Sequence, residues 1–368
     1  MIKVGYTFED YYKCIQGKRV VAFSASAFLQ LMAENYRELY LAEKVAYVVD
    51  NDESKAGTSF MMGGSRKVVQ TIDYLLNDNM NDIVILIGSD RYAYEIFGQL
   101  EQIEKLSNVP CFILSLMISK KRDNDDFEFA NQVATDGDGI PKIIHCFWLG
   151  DAPLDDMANK CLVSFKKYCP DYDIRLWTNK NYDVTKNKYM YEAYKSRKWA
   201  YACDYARLDK IYSEGGIYFD LDVELVSNID SVLQNDFFAG FGPLRDIELA
   251  AFGSKPGNAL IGEMLEAYDD REFIVDHELS LMDVQPVFMD RFLEKKGFQI
   301  NGRYQKVNGC ALYPREIFSP RNWFTGEEQV EKKSLGIHHC AGSWASKVDK
   351  DTNVKRGELL KRLEAEYD

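Results

Sequence analysis

Short segments that are apolar at almost every position recur along the first third of the chain, and helical segments lie between them. Strands that are apolar on both faces are typical of a parallel sheet covered by helices on each side. We therefore predict an α/β domain in this part of the chain. Its predicted strands are residues 19–23, 45–49, 83–87 and 111–116, and its predicted helices are residues 28–40 and 92–106.

The composition changes after the fourth apolar segment. Residues 119–126 are dense in charge, and residues 135–141 contain two glycines and a proline. Segments of this kind are typical of the boundary between two domains. We predict a small Rossmann-like domain over residues 1–125, a linker over residues 126–139 and a second α/β domain over residues 140–368.

The second domain also alternates between strand and helix signals. Its predicted strands are residues 143–148, 174–177 and 217–219, and its predicted helices are residues 157–168 and 199–212. Residues 355–367 form a charged amphipathic segment. We predict that this segment is a packed terminal helix rather than a membrane anchor.

Charge and hydropathy narrow the function classes. The 368 residues carry a net charge of −13, which disfavours nucleic-acid binding because that binding depends on neutralising phosphates. Residues 109–119, the longest apolar stretch, are far fewer than the roughly 20 that span a membrane. The N-terminus lacks a secretory pattern. We expect a cytoplasmic protein, and the sequence leaves open its oligomeric state and a peripheral association with the inner face of a membrane.

The eight cysteines are scattered, and none forms a Cys-x-x-Cys pair. This spacing disfavours both a disulfide framework and a structural zinc site.

The N-terminal domain lacks the glycines of a dinucleotide site. Such a site needs Gly-x-Gly-x-x-Gly after its first strand, so that the backbone can approach the pyrophosphate. Residues 24–29 read Ser-Ala-Ser-Ala-Phe-Leu instead, although Asp50 lies where an acid could bind a ribose. A domain used for packing, assembly or acceptor handling is the favoured interpretation. A sugar-nucleotide oxidoreductase or epimerase that uses this half is the alternative.

One Asp-x-Asp triplet differs from the others in its surroundings. The triplets begin at residues 50, 123, 136, 171, 220 and 349. Only Asp220 and Asp222 follow a short apolar strand that itself comes after a Gly215-Gly216 pair able to end a helix. The other five triplets are predicted to lie in solvated loops. Ligands of open α/β sheets bind at such strand ends. Two carboxylates that converge there can hold a divalent cation and bridge it to a diphosphate.

The helix before this strand carries a polar pair. Asp204 and Arg207 are three residues apart and therefore share a helix face. They form either an ordinary surface ion pair or a pair that holds sugar hydroxyls. A stripe on the same helix is predicted to belong to the core, and its residues are Tyr201, Tyr205, Leu208 and Tyr212.

Three motifs occur in order between residues 140 and 344. They are IPKIIHCFWLG from Ile140, CDYARL from Cys203 continued by IYSEGGIYFDLD from Ile211, and HHCAGSW from His338. Together they resemble the DXD sugar transferases of glycosyltransferase family 32. In this chain Cys203 replaces the serine and Ile211 the leucine of the family pattern. The resemblance does not extend to the N-terminal third.

The resemblance implies a GT-A fold and a metal-dependent enzyme. It implies transfer of a hexose, with retention, from a UDP- or GDP-sugar to a saccharide acceptor, in bacterial surface polysaccharide synthesis. The cation would be Mn²⁺ or Mg²⁺, and a lipid-linked acceptor stays open. A non-catalytic module of an assembly complex is a further alternative.

The resemblance also assigns metal ligands. Asp222 would bind the cation directly, and Asp220 would contact the donor ribose and reach the cation through water. His339 would complete the ligand set, with the adjacent His338 as the competing assignment. Imidazole suits Mn²⁺ as well as carboxylate does.

The remaining assignments concern the donor. Trp148 would stack on the base unless it belongs to the core, and His145 is expected to be structural. Gln285, in a loop at residues 284–286, would face the anomeric carbon, and Asp204 and Arg207 would hold sugar hydroxyls as catalytic residues. The full predicted donor set is Trp148, Asp204, Arg207, Tyr218, Asp220, Ser343 and Trp344.

Overall fold

A computed structural model describes most of the chain. The described residues are 3–5, 7–121, 127–129, 139–273, 285–322, 326–341, 354–355, 357–359, 361–363 and 365. They form two compact units. The first contains the residues up to 121, Gly326 and those after 353, and the second contains residues 127–322 and 327–341. The C-terminal residues therefore join the first unit, whereas the sequence analysis assigned them to the second domain, because Leu359 and Leu363 are buried in the first unit's core.

The first unit is built on a mainly parallel sheet. Its strands are β1 (Lys3–Gly5), β2 (Arg19–Phe23), β3 (Val45–Val49), β4 (Ser59–Met62), β5 (Ser65–Gln70), β6 (Ile83–Ile87) and β7 (Pro110–Ile113). Their order is β1-β7-β6-β2-β3-β5-β4, and β4 alone among them runs antiparallel to its neighbour. The predicted parallel α/β domain is confirmed.

The helices of the first unit differ from the prediction at their ends. They are α1 (Phe8–Cys14), α2 (Ala27–Asn35), α3 (Leu41–Lys44), α4 (Ile72–Leu76), α5 (Ala93–Glu101) and α6 (Leu114–Lys120). The α2 helix ends well before residue 40, and a turn of 3-10 helix follows over Arg37–Leu39. The predicted strand over residues 111–116 stops at Ile113, because the rest of that apolar run is buried as the α6 helix.

The second unit is built on a mixed sheet. Its strands are β8 (Ile143–Trp148), β9 (Asp173–Thr178), β10 (Gly216–Phe219), β11 (Val223–Leu225), β12 (Phe237–Phe241), β13 (Ile247–Ser254), β14 (Gln305–Val307), β15 (Cys310–Tyr313) and β16 (Gly336–His338). The main sheet has the order β14-β15-β12-β13-β10-β8-β9, and β11 pairs with β16 in a separate ribbon.

Helices cover this sheet and supply part of the site. They are α7 (Asp156–Tyr168), α8 (Lys188–Lys195), α9 (Trp199–Glu214), α10 (Ala259–Glu266) and α11 (Gln285–Glu294). The strands β8 and β10 are parallel, and β13 runs antiparallel to β10. The ends of β8 and β10 and the beginning of β13 therefore lie at one edge of the sheet, where the polar residues of the candidate site collect.

Within the part of the chain that the structure describes, no helix combines the length and the apolar character that a bilayer crossing requires.

Candidate metal and donor site

Asp220 and Asp222 lie on the turn between β10 and β11. The α9 helix ends at Gly215, whose φ of 67° is a conformation that glycine adopts without strain. The four residues of β10 follow, and the chain then turns sharply, with the Val223 N–H donating to the Asp220 carbonyl at 3.0 Å. The turn lets carboxylates two residues apart converge, as predicted for a strand that gives way to a loop.

His338 joins the two aspartates. The β16 strand pairs with β11 so that His338 lies opposite Val223. One ligand atom from each of Asp220, Asp222 and His338 lies within 4.8 Å of the other two. Two carboxylate oxygens and an imidazole nitrogen are ligands that Mn²⁺ accepts, so these residues fit the cation that the resemblance implies.

His339 lies elsewhere, contrary to the favoured prediction. Its Nε2 is 2.9 Å from Oε2 of Glu224, and its Nδ1 is 3.4 Å from the guanidinium of Arg321. Successive side chains of an extended chain point to opposite faces, so the two histidines cannot both face Asp222. The structure brings the competing candidate, His338, to the aspartates and turns His339 away.

The charges at this site influence one another strongly. Burial favours a raised pKa for Asp222, but the charge and hydrogen bond of His338 outweigh it and lower that pKa to about 2. Burial raises the pKa of Asp220. Burial opposes protonation of His338, yet the neighbouring Cys340, Glu248 and Asp222 hold its pKa well above the usual value. This cluster of acids therefore favours a positive charge at His338, which either a proton or a bound cation can supply.

Asp204 and Arg207 form a buried pair beside Asp220. Each is 7% exposed, so the interpretation of this pair as an ordinary surface ion pair is wrong. Nη2 of Arg207 donates to Oδ1 of Asp204 at 2.5 Å, and Nη1 donates to the Leu249 carbonyl at 2.8 Å. Nη1 also lies 3.5 Å from Oδ2 of Asp220. Burial raises the pKa of Asp204 to about 6. Arg207, fixed by Asp204, therefore contacts the Asp220 carboxylate from the buried side of the site.

Tyr218 is a buried residue that contacts Asp220. Its side chain is 1% exposed, which disfavours the direct contact with the donor that was predicted for it. Its hydroxyl donates to Oδ1 of Asp220, and the Arg207 guanidinium lies 5.0 Å from the centre of its ring. Tyr218 consequently positions Asp220.

The other predicted donor residues are only partly described. Trp148 is the last residue of β8 and is half-buried, with its indole N–H donating to the Ala152 carbonyl at 2.7 Å. Gln285 begins the α11 helix, whereas a loop was predicted, and its side chain lies outside the described part of the structure. Ser343 and Trp344 also lie outside the described residues. The roles of these residues remain predictions.

His145 is structural, as expected. It is fully buried, its Nε2 lies 3.0 Å from the Gly215 carbonyl, and the Trp177 indole donates to its Nδ1 at 3.0 Å. Burial lowers its pKa to about 4. Both ring nitrogens therefore have partners within the core.

Glu248 is a site residue that the sequence analysis missed. It lies near the start of β13, with Oε2 3.0 Å from Nδ1 of His338, and Ser319 donates to the same oxygen at 2.5 Å. The nearby Asp246 has a pKa raised to about 7, by burial and by Glu248. No spacing in the sequence connects residues 248, 319 and 338. The Asp-x-Glu at 246–248 is the one signal, and it is common.

The loop after β2 already takes part in hydrogen bonds within the first unit. Oδ2 of Asp50 accepts the Ala25 N–H at 2.8 Å, and Oδ1 accepts the Asp52 N–H at 2.9 Å. The Ser26 hydroxyl caps α2 by accepting the Leu29 N–H at 3.1 Å. The Ala25 and Leu29 N–H groups are thus occupied by side chains of the protein itself, which disfavours the dinucleotide alternative.

Comparisons with known proteins bear on the second unit. A family model described as "Glycosyltransferase sugar-binding region containing DXD motif" matches residues 155–239. That segment includes Asp204, Arg207, Asp220 and Asp222 and excludes Trp148 and His338. No curated protein matches the chain significantly.

Two solved structures are similar to parts of the chain. One is titled "PaToxG Glycosyltransferase", with 17% identity, a TM-score of 0.35 and coverage of 45% of this chain and 76% of that one. The other is a glycosyltransferase involved in the glycosylation of the major capsid of PBCV-1, with 12% identity, a TM-score of 0.34 and coverage of 58% and 100%. On the family match, residues 155–239 are similar to the sugar-binding region of the DXD-motif glycosyltransferases.

Proposed function

We propose that the protein is a metal-dependent, retaining glycosyltransferase that moves a hexose from a nucleotide sugar to a saccharide acceptor. The observation that carries the proposal is the convergence of Asp220, Asp222 and His338 at the end of a parallel strand. Two of these residues belong to the segment that the family model matches. We place the reaction in bacterial surface polysaccharide synthesis, with UDP or GDP as the leaving group.

Asp220, Asp222 and His338 would hold the cation. When bound, the cation supplies the positive charge that stabilises a departing diphosphate. Arg207 and Tyr218 fix the position of Asp220, because both contact its carboxylate. Asp204 and Arg207 border the donor sugar, and Trp148 lies at the same edge of the sheet and is available to a base.

The two adjacent histidines provide a matched test. A panel of UDP- and GDP-hexoses is incubated with the protein and Mn²⁺, and donor hydrolysis is measured before and after chelation. We expect hydrolysis of at least one donor, loss on chelation and recovery on adding Mn²⁺. We expect His338→Gln to lose the Mn²⁺-dependent rate and His339→Gln to retain it. Turnover that is indifferent to chelation contradicts the metal dependence, and loss only in His339→Gln contradicts the ligand assignment.

A further inference from the structure

Glu248 faces the candidate ligand His338 from the side opposite to the aspartates. Nδ1 of His338 lies 3.0 Å from Oε2 of Glu248, and Nε2 lies 3.5 Å from Oδ1 of Asp222. Each ring nitrogen therefore faces a different carboxylate. An acceptor at Nδ1 keeps a hydrogen on that nitrogen, so the lone pair of the neutral ring is at Nε2, on the side of Asp222.

Glu248 is itself held in place. Ser319, which is 3% exposed, donates its hydroxyl to Oε2 of Glu248 at 2.5 Å. A Cβ atom on Gly242 would lie 2.7 Å from both Cγ and Cδ of Glu248, so the glycine leaves room for this side chain. The carboxylate is 15% exposed and is anchored on a strand in the middle of the sheet.

The neighbouring pair of His339 and Glu224 has the same residue types in another setting. Oε2 of Glu224 lies 2.9 Å from Nε2 of His339 and is also 2.6 Å from the Lys160 ammonium. The other nitrogen of His339 lies 3.4 Å from Glu328. This imidazole therefore has carboxylates on both sides without taking part in the aspartate cluster.

We infer that Glu248, held by Ser319, is a positioning residue that fixes the orientation and tautomer of His338 so that Nε2 is presented to a divalent cation. The inference rests on the proposed metal site and adds a residue outside its ligand set. Carboxylates that accept a hydrogen bond from a metal-binding imidazole act in this way, and their loss weakens metal affinity by about 10- to 100-fold.

The test uses the full-length protein and Mn²⁺ alone. Binding is followed by the loss of the electron paramagnetic resonance signal of free Mn²⁺ for the wild type, Glu248→Gln, Ser319→Ala and Glu224→Gln. We expect Glu248→Gln to raise the dissociation constant about 10- to 100-fold, with a smaller rise for Ser319→Ala. Glu224→Gln, the matched control, is expected to stay within about twofold of the wild type. Equal affinity in Glu248→Gln and the wild type would overturn the inference.

A second readout does not depend on the metal. The chain has four histidines, so the imidazole ¹⁵N spectrum can be assigned with His338→Gln and His339→Gln as references. At a pH where the ring is neutral, we expect the wild-type His338 to carry its hydrogen on Nδ1. In Glu248→Gln an amide that donates as well as accepts no longer fixes that hydrogen, so Nε2–H signal is expected to appear.

The two readouts separate the inference from the proposed function. A wild type that fails to bind Mn²⁺ but shows the Nδ1–H tautomer, lost in Glu248→Gln, would contradict the metal site and support the positioning role. A wild type that binds Mn²⁺ with His338 as the Nε2–H tautomer would contradict the positioning role and leave the metal site supported. Circular dichroism and thermal unfolding confirm that each variant is folded.

Discussion

The loop after β3 and the turn after β10 both follow a buried parallel strand, and both contain acids, yet the acids have different partners. In the first unit, Asp50 accepts two backbone N–H groups and the Lys55 ammonium at 3.1 Å. In the second unit, Asp220 and Asp222 converge on each other and on His338. Protein donors contact the acids in both places, since Tyr218 and Arg207 contact the Asp220 carboxylate. An acid near a strand end becomes a candidate metal site when further ligand groups converge with it.

The largest predicted effect comes from removing a carboxylate from the cluster of Asp220, Asp222 and His338. Asp222→Asn removes a carboxylate from the cluster and should lower Mn²⁺-dependent donor hydrolysis by about a thousandfold, equivalent to about 4 kcal/mol of transition-state stabilisation. Asp52→Asn, in an exposed turn of the first unit, is the control and should leave the rate unchanged. Native hydrolysis by Asp222→Asn would refute the proposed role of this turn.

The buried charges beside the turn give the next prediction. Arg207→Met removes the guanidinium that pairs with the 7% exposed Asp204 and should lower the free energy of unfolding by about 3–5 kcal/mol, measured by urea titration. Arg175→Met is the control. Its partners Asp173 and Glu214 have side chains that are 57% and 26% exposed, so that variant should lose less, about 1 kcal/mol. Equal losses in the two variants would mean that the depth of the Asp204–Arg207 pair has no energetic consequence.

The sequence predicted several buried strands of the fold better than the side chains that come together at the site. β2, β3, β6 and β8 were predicted with their observed ends, because apolar β-branched runs specify buried strands directly. The strand over residues 111–116 was too long, since an apolar run does not distinguish a buried strand from a buried helix. β12 and β13 were missed, because glycine and alanine interrupt their strand signal.

The site was predictable as far as its local motif extends. Asp220 and Asp222 were identified from the residues that precede them in the chain, and the Gly215-Gly216 helix end is confirmed. The choice between His338 and His339 depended on the pairing of β16 with β11, which no local pattern encodes. Glu248 reaches the site through the antiparallel neighbour of β10, which is likewise a tertiary relation.

His145 offers a test of what makes a polar group structural. The deciding factor could be its hydrogen-bond partners or its position in the first unit. His145 belongs to the second unit, yet both of its ring nitrogens have partners. Its pKa falls from 6.5 in the unfolded chain to about 4 in the fold, so the unfolded chain binds the proton first as the pH drops. The stability contributed by the neutral ring is complete above pH 6.5 and declines as the pH falls towards 4, by about 3 kcal/mol.

This pH dependence can be isolated by difference. The free energy of unfolding is measured between pH 7 and pH 4 for the wild type and for His145→Gln, and the slopes are compared. We expect the wild type to lose about 3 kcal/mol more than the variant over this interval. Parallel slopes would show that His145 does not titrate abnormally in the fold.

The smallest predicted effect comes from removing a hydrogen bond that Asp50 accepts in the first unit. Asp50→Asn leaves a single oxygen acceptor where two carboxylate oxygens accept backbone N–H groups, so at least one of the Ala25 and Asp52 donors loses its partner. We expect a loss of about 1–2 kcal/mol in the free energy of unfolding, because an unsatisfied donor costs roughly this much. Mn²⁺ affinity and donor hydrolysis should match those of the wild type. A change in either would mean that the acid after β3 contributes to the metal site, and the contrast between the two strand ends would then fail.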